Sequence, residues 1–194
     1  MALNKAKKKI AQYLRCSSIL EENVATAYKS FANKTENSLI KPLLLFISYD
    51  SLKHSKTLRK LSQNITKTES TTEQCEIILG KAWKNAVTQA HREMLKKERI
   101  TDQELASLID KMINLESFLG EEYLMILQLK TLELAAKDSK MDLTGTKKIL
   151  EWIIEDEKRH ELILERIKII ITKKKQGQQN WAARSEAFLQ ASAL

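Results

Sequence analysis

Side chains that could bind a metal recur in two matching segments of this chain. Residues 20–28 read LEENVATAY and residues 115–123 read LESFLGEEY, so each segment has Leu-Glu followed by a tyrosine seven residues after the glutamate. Seven residues return a helix to within about 20° of its starting direction. Glu21 and Tyr28 therefore share a helix face, as do Glu116 and Tyr123. The neighbours on these faces are apolar, which predicts inward-facing carboxylates, and a buried carboxylate is costly unless it is paired or binds a metal.

A second repeat adds histidines to the candidate ligands. Residues 46–54 read FISYDSLKH and residues 152–160 read WIIEDEKRH, with aromatic, Ile, Asp, basic and His residues at matching places. Glu157 and His160 are three residues apart, so they converge on one helix face. Carboxylate and neutral imidazole together suit divalent transition metals. The two repeats predict a buried site whose metal ligands are Glu21, His54, Glu116, Glu157 and His160.

Ser51 is a departure from this repeat. It stands where the matching segment has Glu157, and a hydroxyl brings no charge and is a weak ligand beside a carboxylate. Three outcomes stay open: a weakened site for two metals, a site for one metal, or a relic that binds none. Asp50, four residues before His54, could substitute as a ligand.

The composition predicts that long helices position these residues. Only four glycines and one proline occur in 194 residues, too few for the turns of an all-β fold. Apolar periodicity predicts helices at about 4–32, 39–65, 72–99, 101–137 and 146–172. Thr101 and Glu104 form a capping box at one helix start, and residues 71–74 resemble another. Two helices followed by two matching helices predict an all-α four-helix bundle with an internal two-fold repeat. The helix at about 72–99 is inserted between the second and third bundle helices.

One domain is expected from this length. We assign residues 1–172 to the bundle and residues 173–194 to a C-terminal tail, because Lys and Ile are abundant up to Lys175 and absent after it. The tail is predicted to be either a docking helix or disordered. Trp83 and Trp152 are expected in the core, and His91 on the surface.

The charge and cysteine content restrict the partners and the compartment. The net charge is +8, with lysine clusters at 5–9 and 173–175 that we interpret as solvated surface rather than a nucleic-acid site. Cys16 and Cys75 form no C-x-x-C pair, which excludes a zinc ribbon or a rubredoxin-type iron site. We expect both to be reduced, buried thiols, with a disulfide between them as the alternative. No secretory signal and no run of about 18 apolar residues occurs, so we predict a cytoplasmic protein that does not span a membrane.

The quoted motifs resemble the ferritin-like superfamily, and most closely the rubrerythrins and bacterioferritins. The resemblance covers about residues 10–170. It implies the di-iron carboxylate arrangement, with one Glu from each of two helices and Glu-x-x-His from the other two. Glu21 and Glu116 match the single glutamates, Glu157 and His160 match one Glu-x-x-His, and His54 matches the other histidine. The resemblance further implies that Asp50 and Asp156 hydrogen-bond ligand histidines.

By this resemblance, the expected function is a non-haem di-iron oxidoreductase that reacts with peroxide or dioxygen, as a peroxide reductase or ferroxidase. The expected cofactor is two iron ions, or manganese, zinc or a single ion in their place. Tyr28 and Tyr123 are either radical-capable residues beside the metals or simple core tyrosines. We expect an external electron donor and a homo-oligomer, a dimer or larger. Two alternatives stay open: a structural or interaction bundle with a degenerate site, and an iron-storage or DNA-protection protein.

Overall fold

The computed structural model describes residues 2–66, 72–95, 99–126 and 144–191. Every named element in these ranges is a helix: α1 (Ala2–Lys34), α2 (Ile40–Ile65), α3 (Thr72–Leu95), α4 (Asp102–Met125) and α5 (Thr144–Ala191). The predicted all-α class is confirmed. The predicted end of the fourth helix, at 137, lies outside the described residues. Of the possible capping box at 71–74, the structure describes the side chain of Gln74 alone.

Four helices form the bundle because each carries a core stripe with alternating spacings of three and four residues. In α4 the buried side chains are Leu105, Ile109, Met112, Glu116, Leu119 and Tyr123. In α5 they include Leu150, Ile153, Glu157, His160, Leu164, Ile167 and Ile171. This spacing places one side of each helix toward its neighbours. The polar members of the stripes therefore occupy core positions.

Contacts between the helices define the directions in which they run. Side chains late in α2 meet backbone early in α1, since Ser48 bonds to Ala25 and Ser62 bonds to Ala11. The same inverse order relates α1 to α4, α2 to α5, and α4 to α5. Each of these four pairs is antiparallel, so α2 and α4 run in the same direction, diagonally opposed. The chain between them must therefore travel the length of the bundle.

The α3 helix occupies that crossover and packs on α1. Trp83 is fully buried, as expected, and its indole Nε1 donates to the carbonyl oxygen of Cys16 at 3.1 Å. Gly80 interrupts α3 with a positive φ of 79°, a conformation that glycine adopts without steric cost. The far end of the crossover returns to the α1–α2 turn, where Ile100 N donates to the carbonyl oxygen of Lys34 at 3.0 Å. The capping box predicted at Thr101 and Glu104 is confirmed at the start of α4.

The expectation of reduced thiols is wrong in this structure. Cys16 on α1 and Cys75 on α3 form a disulfide, with their Cα atoms 5.3 Å apart. Both residues are fully buried. A separation of 59 residues carries no information about spatial distance, and the packing of α3 on α1 is what brings the thiols together.

Two further expectations differ from the structure. Trp152 was expected in the core but is 54% exposed, because it precedes the buried Ile153 and lies outside the stripe of α5. The Nζ of Lys148 lies 5.7 Å from its ring centroid. The backbone of α5 continues as helix past residue 172 to Ala191. The division into a bundle and a separate tail stays a prediction.

Within the described residues, none of the helices is apolar over a stretch long enough to cross a bilayer.

Candidate metal centre

Five predicted ligand side chains meet in the middle of the bundle, and we call this group the cage. Each of the four bundle helices contributes at least one member, because each core stripe carries a polar residue at the same level. All five are buried to 1% exposure or less. The members are Glu21 from α1, His54 from α2, Glu116 from α4, and Glu157 and His160 from α5.

The cage consists of two groups of three that share one carboxylate. Glu21, His54 and Glu157 form one group, and Glu116, Glu157 and His160 form the other, with ligand atoms within 4.8 Å of one another in each. The Oε1 of Glu157 lies 2.9 Å from Nδ1 of His54. Its Oε2 lies 3.3 Å from Nδ1 of His160. One carboxylate therefore offers one oxygen to each group, which is the disposition of a bridging ligand.

The two imidazole rings are held in the same orientation from outside. Their centroids are 5.9 Å apart, and in both rings Nδ1 faces the cage while Nε2 faces an aspartate. Nε2 of His54 lies 3.0 Å from Oδ2 of Asp156, and Nε2 of His160 lies 3.5 Å from Oδ2 of Asp50. Each aspartate thus faces the histidine of the other half. A carboxylate oxygen that accepts from Nε2–H leaves the lone pair of Nδ1 for a metal.

Two cations cover the aspartates on their outer side. Lys53 Nζ donates to Asp50 Oδ1 at 2.6 Å and to Asp156 Oδ2 at 2.9 Å. Arg159 donates to Asp156 Oδ1 at 2.6 Å. These contacts turn Asp50 away from the cage, so the open possibility that it substitutes for a ligand is not what the structure shows. Lys53 and Arg159 were not predicted as site residues, although matching basic residues in the second repeat were a signal for them.

Two tyrosine hydroxyls form hydrogen bonds with the cage carboxylates on α1 and α4. Tyr123 Oη donates to Oε1 of Glu21 at 2.5 Å, and Tyr28 Oη donates to Oε1 of Glu116. Each tyrosine therefore donates to the glutamate in the other half of the repeat rather than to the glutamate on its own helix. Burial and the nearby carboxylates raise the pKa of both phenols well above 10, so both hydroxyls keep their protons and act as donors.

The crowding of carboxylates determines the charges of the metal-free cage. Burial by itself lowers the pKa of His54, but its contacts with Glu157 and Glu21 outweigh this and raise the pKa to about 11. Contacts with Glu116 and Glu157 likewise outweigh burial at His160 and raise its pKa to about 10. Burial and the charge of Glu21 raise the pKa of Glu157 well above its ordinary value. Without metal, protons therefore neutralise the cage, and metal binding must displace them.

Two buried oxygens in or beside the cage, Oε2 of Glu21 and the hydroxyl of Ser51, have no hydrogen-bond partner among the described residues. The carboxylate oxygens of Glu157 face the two histidines. Buried polar atoms are usually satisfied. Three carboxylates and two imidazoles are a donor set that suits iron, manganese or zinc ions. The residues present therefore fit a metal site.

Sequence reasoning located the cage residues but missed how α1 and α2 are joined beside it. Ser48, Ser55 and Ser62 are seven residues apart on α2. Their hydroxyls donate to the carbonyl oxygens of Ala25, Ser18 and Ala11 at 2.7, 2.8 and 2.6 Å. We call these three serines the serine ladder. Their heptad spacing was a signal, since small polar residues at core positions need partners on the facing helix. His91 lies outside the described side chains.

Comparison with known proteins agrees with this geometry. The family model described as Rubrerythrin matches residues 12–168. No curated protein and no solved structure matches the chain. The family match extends into all four bundle helices and includes every residue of the cage, so the chain belongs to the rubrerythrin family and the predicted resemblance is confirmed.

Proposed function

We propose, from its membership of the rubrerythrin family, that this protein is a non-haem di-iron oxidoreductase that reduces peroxide or dioxygen at the cage. The observation that carries the proposal is the carboxylate of Glu157. It is fully buried, and its two oxygens face the two histidines at 2.9 and 3.3 Å. A pair of redox-active ions held there would supply reversible one-electron steps to a bound oxidant.

The chain itself would hold and insulate those ions. Glu21 with His54, and Glu116 with His160, would bind one ion each, and Glu157 would bridge them. The phenols of Tyr28 and Tyr123 would fix the rotamers of the outer carboxylates through the hydrogen bonds described above. Complete burial keeps bulk water from the cage, which strengthens every charge interaction inside it.

Electrons would come from a separate donor. The chain has two cysteines, and they are bonded to each other, so they cannot ligate a rubredoxin-type iron on this chain. We propose that the electrons enter at the outer face of the cage, where Asp50 and Asp156 lie between the histidines and exposed Lys53 and Arg159. We further propose that the protein works as a homo-oligomer, a dimer or larger.

Metal content and oxidation kinetics test the proposal together. Protein purified without chelator should contain up to two metal ions per chain, and ferrous-loaded protein should oxidise rapidly on addition of hydrogen peroxide. Glu157→Gln should lose most of the bound metal, because that residue belongs to both groups. Glu21→Gln should lose less, because Glu21 belongs to one. Equal losses from the two substitutions would contradict the bridging role of Glu157.

Glu155→Gln is the matched control. Glu155 is on the same helix, two residues away, and exposed. It undergoes the same chemical change, and metal content should be unaffected. If wild-type protein binds no iron, manganese or zinc, the proposal is wrong and a bundle with a degenerate site is favoured.

A further inference from the structure

The hydroxyl of Ser51 is a buried polar group on α2, one helical turn from the cage residue His54. Ser51 is 0% exposed, and its Oγ has no hydrogen-bond partner. A serine within a helix commonly donates to the carbonyl oxygen four residues earlier, but Ser51 does not. Its hydrogen remains available one turn before His54, at the position where the repeat has Glu157 in α5.

The charges of a loaded cage would not balance. Glu21, Glu116 and Glu157 carry −3 in total, whereas two divalent ions carry +4, which leaves +1. The charged residues just outside the cage do not supply the missing negative charge. Asp50 and Asp156 (−2) are paired with Lys53 and Arg159 (+2). An uncompensated charge in a protein interior is strongly unfavourable. One monoanion would make the loaded cage neutral.

The serine ladder keeps α2 in place around Ser51. Ser48 and Ser55 lie one turn before and one turn after it, and both are bonded to the backbone of α1. These two bonds fix the position of α2 on α1 at the level of Ser51. The Oγ of serine takes the place of the Cγ of glutamate, so the side chain of serine lacks only the carboxylate. A formate ion carries a carboxylate and no further heavy atom, so serine and formate together nearly restore the glutamate.

We propose that a small monocarboxylate of the size of formate binds in the loaded cage beside Ser51 as its fourth carboxylate, with Ser51 Oγ as its hydrogen-bond donor. The inference rests on the proposed two-metal function. It assigns Ser51 a role as an anion-binding residue. An anion from solution then takes the place of the carboxylate that a glutamate would supply at this position of the repeat.

Manganese titration tests the inference without any turnover. Binding of Mn²⁺ is measured by electron paramagnetic resonance in chloride buffer, with and without formate, for wild type, Ser51→Glu and Ser107→Ala. In wild type, formate should tighten binding of the second Mn²⁺ by about tenfold. Ser51→Glu should bind the second ion tightly without formate and should show no formate response. Ser107→Ala, which loses an exposed hydroxyl on α4 outside the cage and the serine ladder, should respond like wild type.

Relaxation of ¹³C-formate gives a direct measure of proximity. Mn²⁺-loaded wild type should broaden the formate signal, and Ser51→Glu should not. If Ser51→Glu does not fold, Ser51→Asp replaces it. Two bound ions without a formate effect in wild type would overturn the inference and leave the proposed function intact. One ion per chain, with or without formate, would also overturn it, since three carboxylates already exceed the charge of one ion. No bound Mn²⁺ would overturn both.

Discussion

The carboxylates of the cage depend on hydrogen bonds from the opposite half of the repeat. Tyr28 donates to Glu116 and Tyr123 donates to Glu21, and all four residues are buried to 2% exposure or less. A buried acceptor that loses its donor keeps the full cost of desolvation. These tyrosines therefore contribute more than packing, even without metal.

Removing either phenol should destabilise the metal-free protein. We expect Tyr28→Phe and Tyr123→Phe each to lower the free energy of unfolding by about 1–3 kcal/mol, because Oε1 of a buried glutamate loses its donor. Urea denaturation in the presence of a chelator measures the loss. Tyr49→Phe is the control, since Tyr49 is 62% exposed, and a change within about 0.5 kcal/mol is expected. A loss in Tyr49→Phe equal to that in the buried pair would show that the phenol contacts are not the cause.

Among the elements, α1 and α2 are joined by apolar packing and also by buried hydrogen bonds. In these bonds, serine hydroxyls of α2 donate to backbone carbonyl oxygens of α1. The serine ladder spans two heptads of α2 and lies in antiparallel order on α1. Seven residues correspond to about 10 Å of helix, so the three bonds are well separated. Each bond satisfies a buried hydroxyl and fixes the lengthwise position of α2, and with it His54, relative to Glu21.

Alanine substitutions should report on these bonds separately. We expect Ser48→Ala, Ser55→Ala and Ser62→Ala each to cost about 0.5–1.5 kcal/mol in unfolding free energy, and the triple variant to cost about their sum. Ser107→Ala removes an exposed hydroxyl bonded within α4 and should change stability by less than about 0.5 kcal/mol. Clearly non-additive losses would indicate that the ladder positions are coupled through a shift of α2.

The disulfide joins the crossover helix α3 to the bundle. It closes a separation of 59 residues between Cys16 and Cys75. In the chain-entropy description, closing a loop of this length stabilises the fold by about 4 kcal/mol. Reduction should therefore lower the urea midpoint of wild type. The Cys16→Ser, Cys75→Ser double variant should start at the lower midpoint and should not respond to reductant. A wild-type midpoint that reductant does not change would show that the thiols are not bonded in solution.

For the whole molecule, metal binding should couple all four bundle helices, because the ligands come from α1, α2, α4 and α5. A ligand that binds the folded chain alone stabilises it by about 2.7 kcal/mol at a concentration one hundred times its dissociation constant. We expect Mn²⁺ to raise the melting temperature of wild type and of Glu155→Gln, and to have little effect on Glu157→Gln. A melting curve of wild type that Mn²⁺ does not shift would contradict a buried metal site.

Much of the bundle and the identities of the cage residues could be predicted from the sequence. The repeated Leu-Glu and Asp-x-x-x-His segments and the spacing of apolar residues are local properties. A helix converts local spacing into a shared face, so the inward direction of Glu21, Glu116 and Glu157 could be worked out before any contact was known. The position of Ser51 opposite Glu157 in the repeat followed in the same way.

Contacts between helices were decided by the tertiary structure alone. They include the exchange of partners between halves, with Asp156 at His54 and Tyr28 at Glu116, and the disulfide between Cys16 and Cys75. They depend on how far one helix is displaced along another, and a periodic pattern is compatible with several such displacements. Trp152 is exposed for a related reason, since a shift of one residue moves a side chain by about 100° around the helix. The sequence by itself determined which side of each helix is buried, and the packing of the helices determined which buried groups meet.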